Sequence, residues 1–184
     1  MPHRAVESKC PSLIVVDAPG VGMGNEFLLR RASNKDCEAI RRVVSTVLQE
    51  YGMALDVNGT DADLADVESS YFGSGGSFDV LVSKEDEIVG TVGLFSLGSG
   101  RCELRKMYLT SRYRGHGLGK QLLRFALVQA RRLGFSRIEL ETASSLATAI
   151  QLYESFGFRP FLSDHMSARC DQAYFLEIKD ELSP

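Results

Sequence analysis

Residues 107–123, MYLTSRYRGHGLGKQLL, pass from an apolar strand pattern through a basic, glycine-rich turn into an amphipathic helix. A chain that folds around this order brings backbone N–H groups together at the turn. Gly115, Gly117 and Gly119 lack a Cβ, so those groups can approach an anion closely. The start of the helix adds unpaired N–H donors and the positive end of a dipole. Arg112, Arg114 and Lys120 add formal charge. The stretch reads as a phosphate cradle.

The rest of the chain can be placed around it. Residues 1–25 read as an N-terminal extension, with the apolar run 13–16 contributing a short edge strand. Its glycines 20–24 miss the spacing of a dinucleotide loop, which would need a glycine at Asn25. A single domain is expected over 26–184. Residues 26–32 form a strand, and Ile40, Val43, Val44, Val47 and Leu48 recur at helical spacing to about Tyr51. Thr60 is placed to cap a second, shorter helix through about Tyr71. Strands follow at 78–82, 88–95 and 101–109, then the cradle and its helix. A strand at 137–142, a helix at about 146–156, and closing strands at 158–162 and 173–178 complete the series. An antiparallel meander thus runs into a βαβ unit.

At 184 residues the chain can bury a substantial core. No apolar run approaches the roughly 18–20 residues that span a bilayer, so no membrane partner and a cytoplasmic location are expected. The four cysteines and three histidines show no metal-ligand spacing, and no metal is expected. Charge is uneven. Residues 43–83 contain no Lys or Arg but carry Glu50, Asp56, Asp61, Asp63, Asp66, Glu68 and Asp79, whereas 101–137 hold Glu103 as their one acid. A basic half suits a phosphorylated cofactor and an acidic half suits a cationic substrate. No aromatic–basic motif marks nucleic-acid binding.

Two common nucleotide loops fail on spacing. A P-loop would put glycine where Arg114 stands and Ser or Thr where Gln121 stands; a Rossmann loop would put glycine at Lys120. The pattern met instead is R-x-x-G-x-G, twice in overlapping register from Arg112 and Arg114. Downstream stands Ala149-Ile150-Gln151-Leu152-Tyr153-Glu154-Ser155-Phe156-Gly157-Phe158. Together with Met107-Tyr108-Leu109, these motifs resemble the GNAT (GCN5-related N-acetyltransferase) superfamily. The resemblance runs from about Leu28 to Ile178.

It implies an α/β (α+β) fold: a mixed, mostly antiparallel twisted sheet of about six or seven strands, flanked by four helices and splayed at the cofactor site. It also implies an N-acetyltransferase that moves the acetyl group of acetyl-CoA, its co-substrate, directly to an amine through a ternary complex. The backbone of Arg114, Gly115, His116, Gly117, Leu118, Gly119 and Lys120 would grip the pyrophosphate. Met107, Tyr108 and Leu109 would pair with the pantetheine arm like an added strand. Tyr153 would be the general acid that protonates the departing thiolate and would also touch the cofactor.

Glu103 is the candidate base. Simple alternation gives it the facing of Met107 and Leu109 unless a bulge intervenes. Leu146 departs from the family pattern, which often has asparagine there; Ser144 or Ser145 are the available substitutes.

The acceptor pocket would draw on the acid-rich 51–71 and on 163–172, with Tyr51, Arg169 and Asp171 as substrate-binding candidates. A small cationic or amino-acid-like amine is the expected acceptor. The alternatives are a protein amine, or a non-catalytic CoA-binding or regulatory module. A monomer and a homodimer are equally compatible with the sequence.

Overall fold

The computed structural model describes residues 14–17, 26–164 and 166–178; the glycine run 20–24, His3, Cys10 and His165 lie outside them. Strands β1 (Ile14–Asp17), β2 (Glu26–Arg31), β3 (Ser77–Val82), β4 (Ile88–Gly98), β5 (Arg101–Leu109), β6 (Arg137–Thr142), β7 (Arg159–Pro160) and β8 (Gln172–Glu177) form one sheet in the order 1-2-3-4-5-6-8-7. Every pairing is antiparallel except β5 with β6. The edge strand expected near 13–16 is β1, paired with β2.

Helix α1 (Cys37–Glu50) covers one face of the sheet, and α2 (Leu118–Arg132) and α3 (Ala147–Ser155) cover the other. Ile40, Val44 and Leu48 of α1 pack with Phe78 and Val80. Leu118, Leu122, Leu123 and Ala126 of α2 pack with Leu94, Cys102, Leu104 and Ile138. Each fully buried leucine or isoleucine on these seams is worth about 2 kcal/mol in area removed from water.

The second helix expected from Thr60 to Tyr71 is not continuous. It is a 3-10 turn (Ala62–Ala65) followed by a single π turn (Glu68–Phe72). The acids of this segment bond to other elements instead of lying along a helix. Asp61 is drawn inward by Lys106 and Arg169, and Asp66 accepts from the Asn34 side chain and from the Ser69 N–H. Fixing Asp61 inward and Asp66 sideways breaks the helical phase between them.

Two irregularities in the sheet shape the site. β5 and β6 pair only from Arg101–Glu103 against Arg137–Glu139 and then diverge, leaving a gap beside residues 104–109. On its other edge, β5 carries a bulge. Tyr108 pairs with Thr91 and Arg105 with Gly93, so Lys106 and Met107 together oppose the single Val92. Lys106 adopts a left-handed φ of 52°, and its carbonyl accepts from the Thr91 hydroxyl at 2.6 Å.

The bulge inverts the alternation along β5. Cys102, Leu104, Met107 and Leu109 face α2, while Tyr108 packs toward the α1 side and Glu103 sits opposite Phe95 there. Glu103 therefore does not share the facing of Met107 and Leu109, as unbroken alternation predicts. It shares that of Tyr108.

Candidate functional site

The gap opens into a cavity of about 1170 Å³ lined from β5, β6, the start of α2, α3 and the loop between β7 and β8. At one end lies the glycine turn. After a 3-10 turn (Ser111–Tyr113), Gly115 and Gly117 take φ of 81° and 80°, and α2 starts at Leu118 without a side-chain cap. The first intrahelical bond runs from Gln121 N–H to Gly117 C=O, so the N–H groups of 118–120 have no partner within the helix. A Cβ added at Gly115 or Gly117 would meet nothing within 4 Å, so the space above the turn is open. Free donors, a helix dipole and open space suit a phosphate group.

Individual cradle residues differ from the expectation. The Leu118 side chain is buried in the core and His116 is absent from the cavity lining, which leaves their backbone as the contribution to an anion site. The Arg114 guanidinium turns back on the protein. Its Nε donates to the Leu109 carbonyl at 2.7 Å and one terminal nitrogen to Glu50 at 2.6 Å, while the other is buried without a partner. Lys120 is exposed and lines the cavity.

Along the gap, Thr110 N–H bonds to Val89 C=O, which makes Leu109 and Gly90 a non-hydrogen-bonded pair. The Leu109 N–H and C=O therefore point away from β4 into the gap. Arg114 takes the carbonyl, leaving the N–H to face the cavity. A backbone donor at an open sheet edge needs a partner, and an extended amide chain supplies one.

Tyr153 is buried at 7% exposure on α3, tilted against Phe158 at 5.8 Å between centroids, and it lines the cavity from the α2 side. Burial pushes its phenol well above the ordinary range, with Tyr108 and Cys170 nearby adding to the shift. It holds its proton across the physiological range. Burial likewise pushes the Tyr108 phenol up to about 12, although Arg169 beside it pulls the other way.

On the α1 side, Glu103 accepts from Arg105 Nε at 2.7 Å, and the Arg105 guanidinium lies 3.9 Å over the Phe95 ring. Beneath them is a cluster that sequence reasoning did not assemble. Asp61, with no exposed side-chain surface, accepts from Lys106 Nζ at 2.6 Å, from both terminal nitrogens of Arg169 at 2.6 Å, and from the Asp56 N–H at 2.9 Å. Burial alone would raise its pKa, but the Arg169 and Lys106 bonds outweigh that and hold it far below the usual carboxylate range. Lys106 also donates to the Thr60 carbonyl at 2.7 Å.

Two expectations about the acceptor end need correcting. Asp171 does not line the cavity; its carboxylate accepts from the N–H and hydroxyl of Ser144, each at 2.7 Å. The same contact occupies Ser144, one of the substitutes considered for the asparagine missing at Leu146. The acidic stretch 43–83 is also not a free anionic wall. Glu50 pairs with Arg114, Asp61 with Lys106 and Arg169, and Asp63 with Lys106 at 3.4 Å. Tyr51 and Arg169 do line the cavity.

Among the described residues, no group of His, Cys, Asp and Glu is placed to hold a metal ion, and no helix is long and apolar enough to cross a membrane.

Residues 44–158 match the family model described as the Acetyltransferase (GNAT) family. The chain is 41% identical over 136 residues to an uncharacterized N-acetyltransferase of Escherichia coli, YjgM, covering 71% of this chain and 81% of that protein. A GNAT-family acetyltransferase structure from Staphylococcus aureus superposes with a TM-score of 0.78 at 24% identity, covering 83% of this chain and 99% of that one. The Salmonella typhimurium protein yncA, solved with its cofactor acetyl-CoA, gives 0.64 at 22% identity, covering 86% and 97%. At those identities the structural likeness is one of fold.

Proposed function

This chain belongs to the GNAT family of acyl-CoA-dependent N-acetyltransferases, and we propose that it moves the acetyl group of acetyl-CoA directly to the amine of a small molecule in a ternary complex. The observation that carries this reading is the gap between β5 and β6, with the Leu109 N–H facing one cavity that Tyr153 lines from α3.

The N–H groups of 118–120 hold the pyrophosphate, and the gap-facing edge of β5 from Met107 to Leu109 holds the pantetheine arm. When bound, the thioester supplies an activated acetyl group whose carbonyl carbon the amine attacks. The Leu109 N–H stands at the edge where the developing oxyanion needs a donor. Tyr153 gives its proton to the departing thiolate. The burial that raises the phenol also disfavours a charged thiolate, which keeps donor and acceptor matched. Glu103, on the α1 face with Tyr108, takes the amine proton through a water molecule, with Arg105 fixing its carboxylate. Tyr51 and Arg169 border the acceptor.

Thiol release from acetyl-CoA, measured over a broad amine panel, tests the reading. Amine-dependent release is expected, falling about 10²- to 10⁴-fold in Tyr153→Phe while acetyl-CoA binding is retained. Tight binding with no turnover of any amine would instead identify a CoA-binding module.

A further inference from the structure

We infer that the Glu141 carboxylate is the docking point for the ammonium group of the acceptor, and that it selects amines entering as cations. Four carboxylates line the cavity: Asp63, Glu103, Glu139 and Glu141. The first three each face a cation, Asp63 with Lys106 at 3.4 Å, Glu103 with Arg105 at 2.5 Å and Glu139 with Arg137 at 2.8 Å. Glu141 makes no ion pair among the described residues. Its Oε2 accepts from the Ser167 N–H at 2.8 Å and its Oε1 from the Ser163 hydroxyl at 3.3 Å.

The cations of this end of the cavity are already engaged. Arg169 is committed to Asp61 through both terminal nitrogens, Lys106 to Asp61 and Thr60, and Arg105 to Glu103. Among the described residues, the cavity carboxylate without a counter-cation is therefore Glu141.

Its position suits an acceptor. Ile138 and Leu140 face the α2 side, so alternation along β6 turns Glu139 and Glu141 toward the α1 side, the face that carries Glu103. Glu141 lies two residues past the last β5–β6 pair, where the strands have separated. Both neutral donors come from the loop between β7 and β8, which fixes the carboxylate without neutralising it. A carboxylate has about four acceptor sites, and two donors leave room for two N–H bonds from an ammonium. Such charge-assisted bonds are the strong ones. The cationic preference thus belongs to one carboxylate on β6 and not to the acid-rich 43–83.

The inference names the acceptor class of the site proposed above, and its binding arm stands apart from that reading. Thermal shift and calorimetry would be run with phenethylamine and spermidine, which are cations at neutral pH, and with aniline, which is not. CoA is held saturating and ionic strength matched. Wild type is expected to bind at least one of the two cations more tightly than aniline. Glu141→Gln should weaken that binding roughly tenfold or more, with Glu141→Asp intermediate and CoA affinity unchanged as the check on folding. Where turnover is measurable, the loss should fall on KM for cationic amines rather than on kcat.

Cation binding that depends on Glu141, but without acetyl transfer, would keep this inference and sink the enzymatic one. Acetyl transfer indifferent to Glu141→Gln would do the reverse. Failure of both cations to bind wild type, or equal weakening for aniline, would overturn the Glu141 assignment.

Discussion

Arg169 and Asp61, 108 residues apart in sequence, meet through two hydrogen bonds of 2.6 Å, and Lys106 reaches the same carboxylate from the bulge of β5. One buried anion thus ties the loop before β8, the segment after α1 and the central strand. Removing it strands two cations. Asp61→Ala is expected to cost about 3–5 kcal/mol in urea unfolding, and a cost below about 1 kcal/mol would show that the cluster does not hold these elements together. Because the Asp61 pKa is depressed on folding, its contribution is fully present above the unfolded value near 3.9 and is lost only as pH falls below it toward the folded value.

Asp79 behaves oppositely. Burial raises its carboxyl to about 7, against the pull of Ser77 and Arg31. The folded state then binds the extra proton between about pH 4 and 7, so stability falls as pH rises through that window and is flat above it. Asp79→Asn should match wild type near pH 4 and exceed it above pH 7 by on the order of 4 kcal/mol. Parallel stability–pH curves for the two proteins would rule this out.

Gly117 combines a φ of 80° with a place at the mouth of α2. Gly117→Ala should cost about 1–2 kcal/mol in backbone strain. It should also raise KM for acetyl-CoA more than it lowers kcat, since it displaces the donors of 118–120. An unchanged KM for acetyl-CoA would move the phosphate site elsewhere.

Glu103→Gln should lower kcat by about 10²-fold while leaving KM for acetyl-CoA in place. Retention of the wild-type kcat in the variant would assign the base to another group.

Much of this was readable from residue types. The glycine turn and the helix after it were, because glycine spacing and apolar periodicity act locally. The β-α order around it followed from hydrophobic periodicity. The phase of β5 was not. A left-handed lysine leaves no trace in the sequence, since the conformation is held by partners far away: Asp61 on its side chain and Thr91 on its carbonyl. The 62–72 segment has the spacing of a helix, but its acids bond to other elements and override that propensity. For the same reason the acidic stretch looked like a free anionic wall, since ion pairs to Arg114, Lys106 and Arg169 cannot be counted until the chain has folded.

The bulge at Lys106 adds a residue to β5 without moving the strand beyond it. Deleting one residue between Glu103 and Met107 would remove the two-to-one mismatch with Val92 and leave Tyr108 opposite Thr91, with Met107 and Leu109 still toward α2. Pairing β5 at its present length with no bulge would instead turn Tyr108 toward α2, and Met107 and Leu109 toward α1. The extra residue thus lets a lysine leave the ladder for Asp61 while the cofactor-side edge keeps its frame.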